Sequence, residues 1–84
     1  MVDMFKALAD QNRLKIIELL SDKPLCVCEI ERGLDLPQNL VSHHLSVLKE
    51  SKTVENCKCG KNNYYSLNKK VLTDLAKKIN KLGK

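Results

Sequence analysis

One amphipathic helix constrains the fold more than any other part of this 84-residue chain. From Gln38 to about Lys49, apolar residues recur at the helical period and predict one buried stripe: Val41, Leu45 and Leu48. The other side of the same helix is entirely polar: Asn39, Ser42, His43, Ser46 and Lys49. Pro37 suits an early helical position, because it has no N–H that needs a partner there. The segment therefore predicts a helix that packs on a core by one side only.

The elements before this helix complete a recognisable motif. A short helix is expected over residues 29–34, ended by Gly33 and the sequence DLP. A short helix, a tight turn and a longer two-sided helix are typical of a helix-turn-helix. Further upstream, Asp10 is expected to cap a helix that runs to Leu20, because a short carboxylate accepts hydrogen bonds from free backbone N–H groups.

After Ser51 the period changes from helical to extended. Two short runs flank Gly60-Lys61-Asn62-Asn63, residues that accept the positive φ of hairpin turns. A hairpin directly after such a helix is a wing. Apolar residues then recur at helical spacing over 69–82, which indicates a last helix that packs on its own domain or forms a dimer seam. The sequence predicts a mainly α winged helix-turn-helix, of order α-α-α-α-β-β-α, in a single DNA-binding domain over residues 1–84.

The charge, the lack of a long apolar stretch and the cysteine content favour some classes of function over others. The net charge of +5 and the pI near 9.1 favour a polyanionic partner such as DNA. No apolar stretch reaches the length of a bilayer span and no leader opens the chain, so we expect a cytoplasmic protein without a membrane partner. Four cysteines in a reducing compartment indicate metal or redox chemistry rather than structural disulfides.

Several motifs resemble the ArsR/SmtB family of winged-helix metalloregulatory repressors. ALADQNRLKIIELL is similar to the second-helix signature of that family, LPQNLVSHHLSVLKES to its recognition helix and GKNNYYSL to its wing. LCVCEI is similar to the cysteine box at the start of the helix before the recognition helix. The resemblance covers nearly the whole chain, in the right order.

The resemblance implies a homodimeric repressor that leaves operator DNA when a metal or metalloid binds. By position, Cys26 and Cys28 become inducer ligands. Two departures stand out: Glu31 takes the place of a third cysteine found in some arsenic-sensing members, and the last helix offers Asp74 but no histidine for a zinc site. The predicted DNA contacts are Gln38, Asn39, Ser42, His43, Ser46, Lys49, Lys58 and Lys61.

The two Cys-x-Cys pairs are predicted to bind a soft ion. In an extended segment, residues i and i+2 point to the same side, so Cys26 with Cys28, and Cys57 with Cys59, can each chelate. If the extended stretch over residues 25–28 pairs with the wing, as the stretch before the second helix commonly does in winged-helix folds, both pairs lie on one small sheet. Four thiolates suit Zn(II) or Cd(II), and three suit As(III) or Pb(II). Nearby lysines and arginine are expected to lower the thiol pKa values.

Other interpretations of the cysteines and of the fold stay open. The thiols could be a redox switch, with a disulfide between the two pairs as the expected oxidised form, or small buried side chains. The chain is expected to be a DNA-binding repressor released by As(III), Cd(II), Pb(II) or Zn(II). The alternatives are a redox-sensing or non-sensing DNA-binding regulator with structural zinc, and a protein interaction module. No enzyme is predicted, because no orienting acid or cleft accompanies Cys and His.

Overall fold

The computed structural model describes the backbone of residues 2–83 and the side chains of residues 5–83. Within that range the helices and strands follow one another as α1 (Val2–Leu8), α2 (Gln11–Leu20), β1 (Leu25–Cys26), α3 (Val27–Leu34), α4 (Gln38–Glu50), β2 (Val54–Cys59), β3 (Asn62–Leu67) and α5 (Lys69–Leu82). This order confirms the mainly α winged helix-turn-helix, with a two-residue strand added before α3. No helix in the described range is long and apolar enough to cross a membrane.

The helix boundaries have identifiable causes. The Asp10 carboxylate accepts from the backbone N–H groups of Asn12 (2.8 Å) and Arg13 (3.2 Å), so it caps α2 as predicted. The helix α3 ends at Leu34 as predicted, where Asp35 takes the left-handed conformation that terminates it (φ 56°), but it begins at Val27 rather than Glu29. A Cβ on Gly33 would lie 2.8 Å from a methyl group of Leu19, so this glycine allows close packing of α3 on α2.

The three strands form one antiparallel sheet in the order β1-β3-β2. In the register, Cys26 of β1 and Cys57 of β2 both stand opposite Tyr64 of β3. Leu25 and Asn56 stand opposite Tyr65 in the same way. Residues directly opposite one another share a face of the sheet. The row of Cys26, Tyr64 and Cys57 therefore lies on one face, and the row of Leu25, Tyr65 and Asn56 lies on the other.

The core joins the helix-turn-helix to the sheet. The largest side chains below 2% exposure come from α2, α3, α4 and the segment that leads into β2: Ile16, Ile30, Val41, Leu45, Leu48, Thr53 and Val54. The apolar stripe predicted for α4 is thus fully buried, and α4 is held in a fixed orientation. The helix α5 differs, since Leu75 is buried while Ile79 and Leu82 are 50% and 83% exposed. The outer half of α5 carries apolar side chains that its own domain leaves uncovered.

Candidate DNA interface and thiol site

The polar side of α4 is free of contacts with the core. Every predicted DNA contact on this helix is exposed: Gln38, Asn39, Ser42, His43, Ser46 and Lys49. His44 is the exception among the polar residues, because it is only 9% exposed and faces the core with Val41 and Leu48. Burial of the opposite stripe leaves these polar side chains accessible on one side of α4, as the helical period predicts.

The hairpin of β2 and β3 carries two of the predicted lysines at its far end. A two-residue turn joins the strands, with Gly60 at φ 64° in its first position, where a type II′ turn requires a positive φ. Lys58 and Lys61 are exposed at the end of the hairpin. On the side of the hairpin that carries Lys58, the Asn56 amide donates to Asn63 Oδ1 at 3.1 Å and stiffens the wing.

The lysines of this surface keep their positive charge available. Among the residues that the structure describes, the one ion pair joins Arg13 to Asp10 at 3.8 Å. None of Lys49, Lys58 and Lys61 is therefore neutralised by a carboxylate of its own chain. Free cationic side chains around a polar helix face suit phosphate contacts that release counterions.

Leu40 belongs to the exposed part of α4, although the sequence pattern did not single it out. It lies in the first turn of α4 and is 42% exposed, so the core does not use it. Its exposure follows from its place in the helical period: it falls between the buried stripe and the polar side. The sequence did contain a signal for Leu40: it is an apolar residue that lies outside the buried stripe, in a first turn that is otherwise polar.

The first cysteine pair is brought together by the junction of β1 and α3. Cys26 ends the strand and precedes the first turn of α3, and Cys28 lies within that turn. The prediction that this pair lies in an extended segment is therefore wrong for Cys28. The two Sγ atoms are nonetheless 2.8 Å apart, with Cys28 exposed and Cys26 partly so. The pair supplies two soft ligands on an accessible surface.

Glu29 orders the backbone of this junction, and the sequence interpretation overlooked it. Its Oε1 accepts from the backbone N–H of Cys26 at 3.1 Å, and this bond lowers the pKa of the Glu29 carboxyl. The signal was present, because an acidic residue three positions after a helix start is typical of reciprocal capping. Glu29 thereby holds Cys26 at the fixed end of α3.

The contact between the two thiols raises the pKa of Cys26, against the expectation that neighbouring basic residues lower it. The hydrogen bond to Cys28 is the main cause, because it favours the protonated form of Cys26. The backbone contact at Glu29 acts in the opposite direction and is weaker. At neutral pH Cys26 therefore carries its proton until a ligand displaces it.

The second pair lies apart from the first. Cys57 and Cys59 are exposed on β2 and, as predicted for an extended segment, point to the same side. Cys26 and Cys57 are separated by β3, so their Cα atoms are roughly 10 Å apart, which is two interstrand spacings. The sheet joins the two pairs as expected but keeps them at a distance. A disulfide between them would need Cα atoms within about 7 Å.

The side chains available as metal ligands determine which ions fit the two cysteine pairs. Among the side chains of residues 5–83, no group of three or more His, Cys, Asp or Glu residues is arranged to hold one metal ion. Each cysteine pair therefore offers two thiolates, and an ion that needs more ligands would keep water or hydroxide in its remaining positions. An ion that tolerates an incomplete protein shell fits either pair, whereas a closed four-cysteine zinc centre does not form within this chain.

Sequence comparison places the chain in a family. The profile described as "Bacterial regulatory protein, arsR family" matches residues 10–55, which include α2, α3 and α4. This chain belongs to the arsR family. Its members are DNA-binding transcriptional regulators, and this chain is accordingly a regulator rather than an enzyme. The match supports the resemblance on which the site residues were predicted.

Individual relatives of this arsR-family chain agree in fold and class. It is 34% identical over 77 residues to the arsenical resistance operon repressor of Staphylococcus aureus, covering 92% of this chain and 74% of the relative. It is 37% identical to a transcriptional repressor SmtB homologue of Synechocystis, covering 80% of this chain and only 51% of that protein, so it spans about half of this relative's length. A homodimeric winged helix-turn-helix DNA-binding domain from Mycobacterium bovis superposes with a TM-score of 0.82 at 26% identity, covering 98% of this chain and 76% of that domain.

Proposed function

We propose that this chain is a homodimeric transcriptional repressor that a soft metal or metalloid ion, bound at Cys26 and Cys28, releases from operator DNA. The observation that carries the proposal is the 2.8 Å contact between the two thiols at the start of α3. Two soft ligands already in contact need little rearrangement to chelate one ion. The arsenical resistance repressor and the SmtB homologue among its relatives support the same class of regulator.

DNA recognition is assigned to α4 and the wing. Asn39 and Gln38 in the first turn can each form paired hydrogen bonds with an adenine edge, while Ser42 and His43 reach the same groove. The phosphate oxygens that flank this groove are contacted by Lys49, Lys58 and Lys61. The buried stripe of α4 fixes this orientation, so the exposed side chains present one consistent surface.

An ion at the first pair acts on the element that carries α4. Cys26 is paired to the wing strand at Tyr64, while Cys28 moves with α3, which leads to α4 through the turn at Asp35. Two S–M bonds of about 2.3 Å separate the sulfurs to about 3.8 Å in tetrahedral geometry. Chelation therefore separates the thiols by about 1 Å from their present contact and links the end of β1 to the first turn of α3 through the ion. A coupling of about 1–3 kcal/mol would lower DNA affinity roughly 5- to 150-fold.

Dimerisation is assigned to α5. Its buried residue Leu75 anchors the helix, whereas Ile79 and Leu82 lie on the solvent side of the same apolar stripe. A second copy would cover these side chains and place two recognition helices on one DNA site. The Mycobacterium bovis domain with the same fold is homodimeric, which supports this arrangement.

Fluorescence anisotropy on labelled promoter DNA tests the proposal. The reduced protein is titrated in turn with As(III), Cd(II), Pb(II) and Zn(II), and one of these is expected to release it near one equivalent per protomer. The matched control is Cys57→Ser with Cys59→Ser, which should respond like the unaltered protein. If Cys26→Ser leaves release unchanged, Cys26 has no part in sensing. Release by a thiol oxidant alone would instead support the redox-sensing alternative.

A further inference from the structure

We propose that Cys57 and Cys59 form a second, independent site on the wing, and that it takes a monovalent soft ion such as Cu(I) in two-coordinate geometry. Both thiols are exposed, and they are two positions apart on the same face of β2. The regulatory consequence rests on the proposed function, whereas ion binding itself does not.

The sheet register keeps the wing pair separate from the first pair. Tyr64 stands between Cys26 and Cys57 on the same face, with β3 separating the two cysteines. The two Cβ atoms are roughly 10 Å apart, because two interstrand spacings lie between them. Thiols that far apart cannot both form S–M bonds of about 2.3 Å to one ion while the sheet stays intact. An ion at the wing must therefore be held by Cys57 and Cys59 alone.

The number and spacing of the ligands select the ion. Residues i and i+2 of a strand are about 6.7 Å apart along the chain, and their side chains point the same way. A linear S–M–S unit needs its sulfurs about 4.6 Å apart, twice a bond length of roughly 2.3 Å. The Cys57 and Cys59 side chains reach that separation by leaning toward each other. No third His, Cys, Asp or Glu joins them in the described residues, and Cu(I), which thiolates select, accepts two ligands.

Charge gives the site its effect on DNA. Binding of Cu(I) releases one proton from each thiol as the two S–Cu bonds form, so two neutral thiols become a unit with a net charge of −1. Lys58, between the two cysteines in sequence, and Lys61, in the adjoining turn, stabilise this charge. A divalent ion on the same two thiolates would leave the charge unchanged. Only a monovalent ion therefore offsets one of the lysine charges that the wing offers to phosphates.

The expected effect is electrostatic and needs no conformational change. Loss of one effective positive charge at the wing lowers DNA affinity and reduces the slope of log affinity against log salt by about 0.9. The wing would thus report a different class of ion from the one that Cys26 and Cys28 bind. The ion at Cys57 and Cys59 would act through the wing, whereas the ion at Cys26 and Cys28 would act through α3 and α4.

The test removes the first pair and titrates the second. The variant Cys26→Ser/Cys28→Ser is titrated anaerobically with Cu(I) against the chelator bathocuproine disulfonate, without DNA. It is expected to bind one Cu(I) per protomer with two sulfur ligands in X-ray absorption spectra, and the variant with all four cysteines replaced by serine to bind none. Circular dichroism confirms that both variants are folded. Equal binding by the two variants, or three or more sulfur ligands, would overturn the proposal.

A second measurement isolates the regulatory part. Salt titrations of DNA affinity compare the Cu(I)-loaded and ion-free Cys26→Ser/Cys28→Ser protein, and the loaded form is expected to show the weaker affinity and the flatter slope. An unchanged slope would overturn the electrostatic effect while the ion site stands. Because Cu(I) binding is measured without DNA, failure of Cys26 and Cys28 to sense an inducer would not alter its outcome.

Discussion

The pH dependence of inducer binding distinguishes the candidate ions, because the proton of Cys26 goes to solvent when some of them bind and into water when others do. The contact with Cys28 raises the pKa of Cys26 above its usual 9.0, so this thiol is protonated before an ion binds. A divalent cation must expel that proton into solvent. Arsenous acid, As(OH)₃, instead loses a hydroxide that combines with the thiol proton, so each As–S bond releases one water and no proton.

The size of the effect follows from proton counting. Between about pH 6 and about pH 8, one released proton raises the affinity for Cd(II) or Pb(II) about tenfold per pH unit, or about 100-fold in total. Any proton that Cys28 releases adds to this slope. The sign is fixed, because the free protein binds more protons than the complex and affinity therefore rises with pH. The affinity for As(III) stays flat over the same range.

Isothermal titration calorimetry across this pH range measures both affinities. The variant Cys57→Ser/Cys59→Ser is used so that only the first pair reports, and Cys26→Ser added to it is the matched control. In the control, the slope of log Cd(II) affinity against pH should be smaller by at least one unit. A Cd(II) affinity that does not change with pH would refute the reasoning, since it would mean that no thiol proton leaves Cys26 when the ion binds.

The other predictions concern the DNA surface, the dimer and the core. In anisotropy titrations, Asn39→Ala should lower the free energy of discrimination between the correct and the wrong base at one base pair by about 1–3 kcal/mol. Lys61→Ala should weaken binding to all DNA sequences and reduce the slope of log affinity against log salt by about 1. Sedimentation equilibrium should show that Ile79→Lys, which charges the exposed apolar stripe of α5, yields monomers, while Lys78→Ala remains dimeric. Urea unfolding should show that Ile30→Ala, at a fully buried position, costs about 2–5 kcal/mol.

Much of the fold could be predicted because local signals agree with it. The stripe of Val41, Leu45 and Leu48 is buried as its period indicates, and Asp10 caps α2 as its side chain allows. The end of α3 at Leu34 was predicted correctly, but the packing role of Gly33 was not, because a glycine that ends a helix and one that permits close packing look alike in sequence. The difference is the side chain of Leu19, which belongs to another helix.

The thiol site was less predictable, because it depends on strand order. A sequence shows that Cys26 and Cys57 can reach the same sheet, but not that β3 lies between β1 and β2. That order keeps apart two cysteine pairs that the sequence had placed on one sheet. The pKa of Cys26 was equally hidden, since the 2.8 Å contact with Cys28 outweighs the more distant positive charges visible in the sequence.

The position of Tyr64 gives this protein an optical reporter of its own. The chain contains no tryptophan and two tyrosines, so its intrinsic ultraviolet emission comes from Tyr64 and Tyr65. Tyr64 has a cysteine from each pair as its neighbour across the sheet. A heavy ion on either side should quench its emission, and Tyr64→Phe should leave only the background of Tyr65. Occupancy of each pair can then be followed in unlabelled protein, with serine variants showing which side is filled.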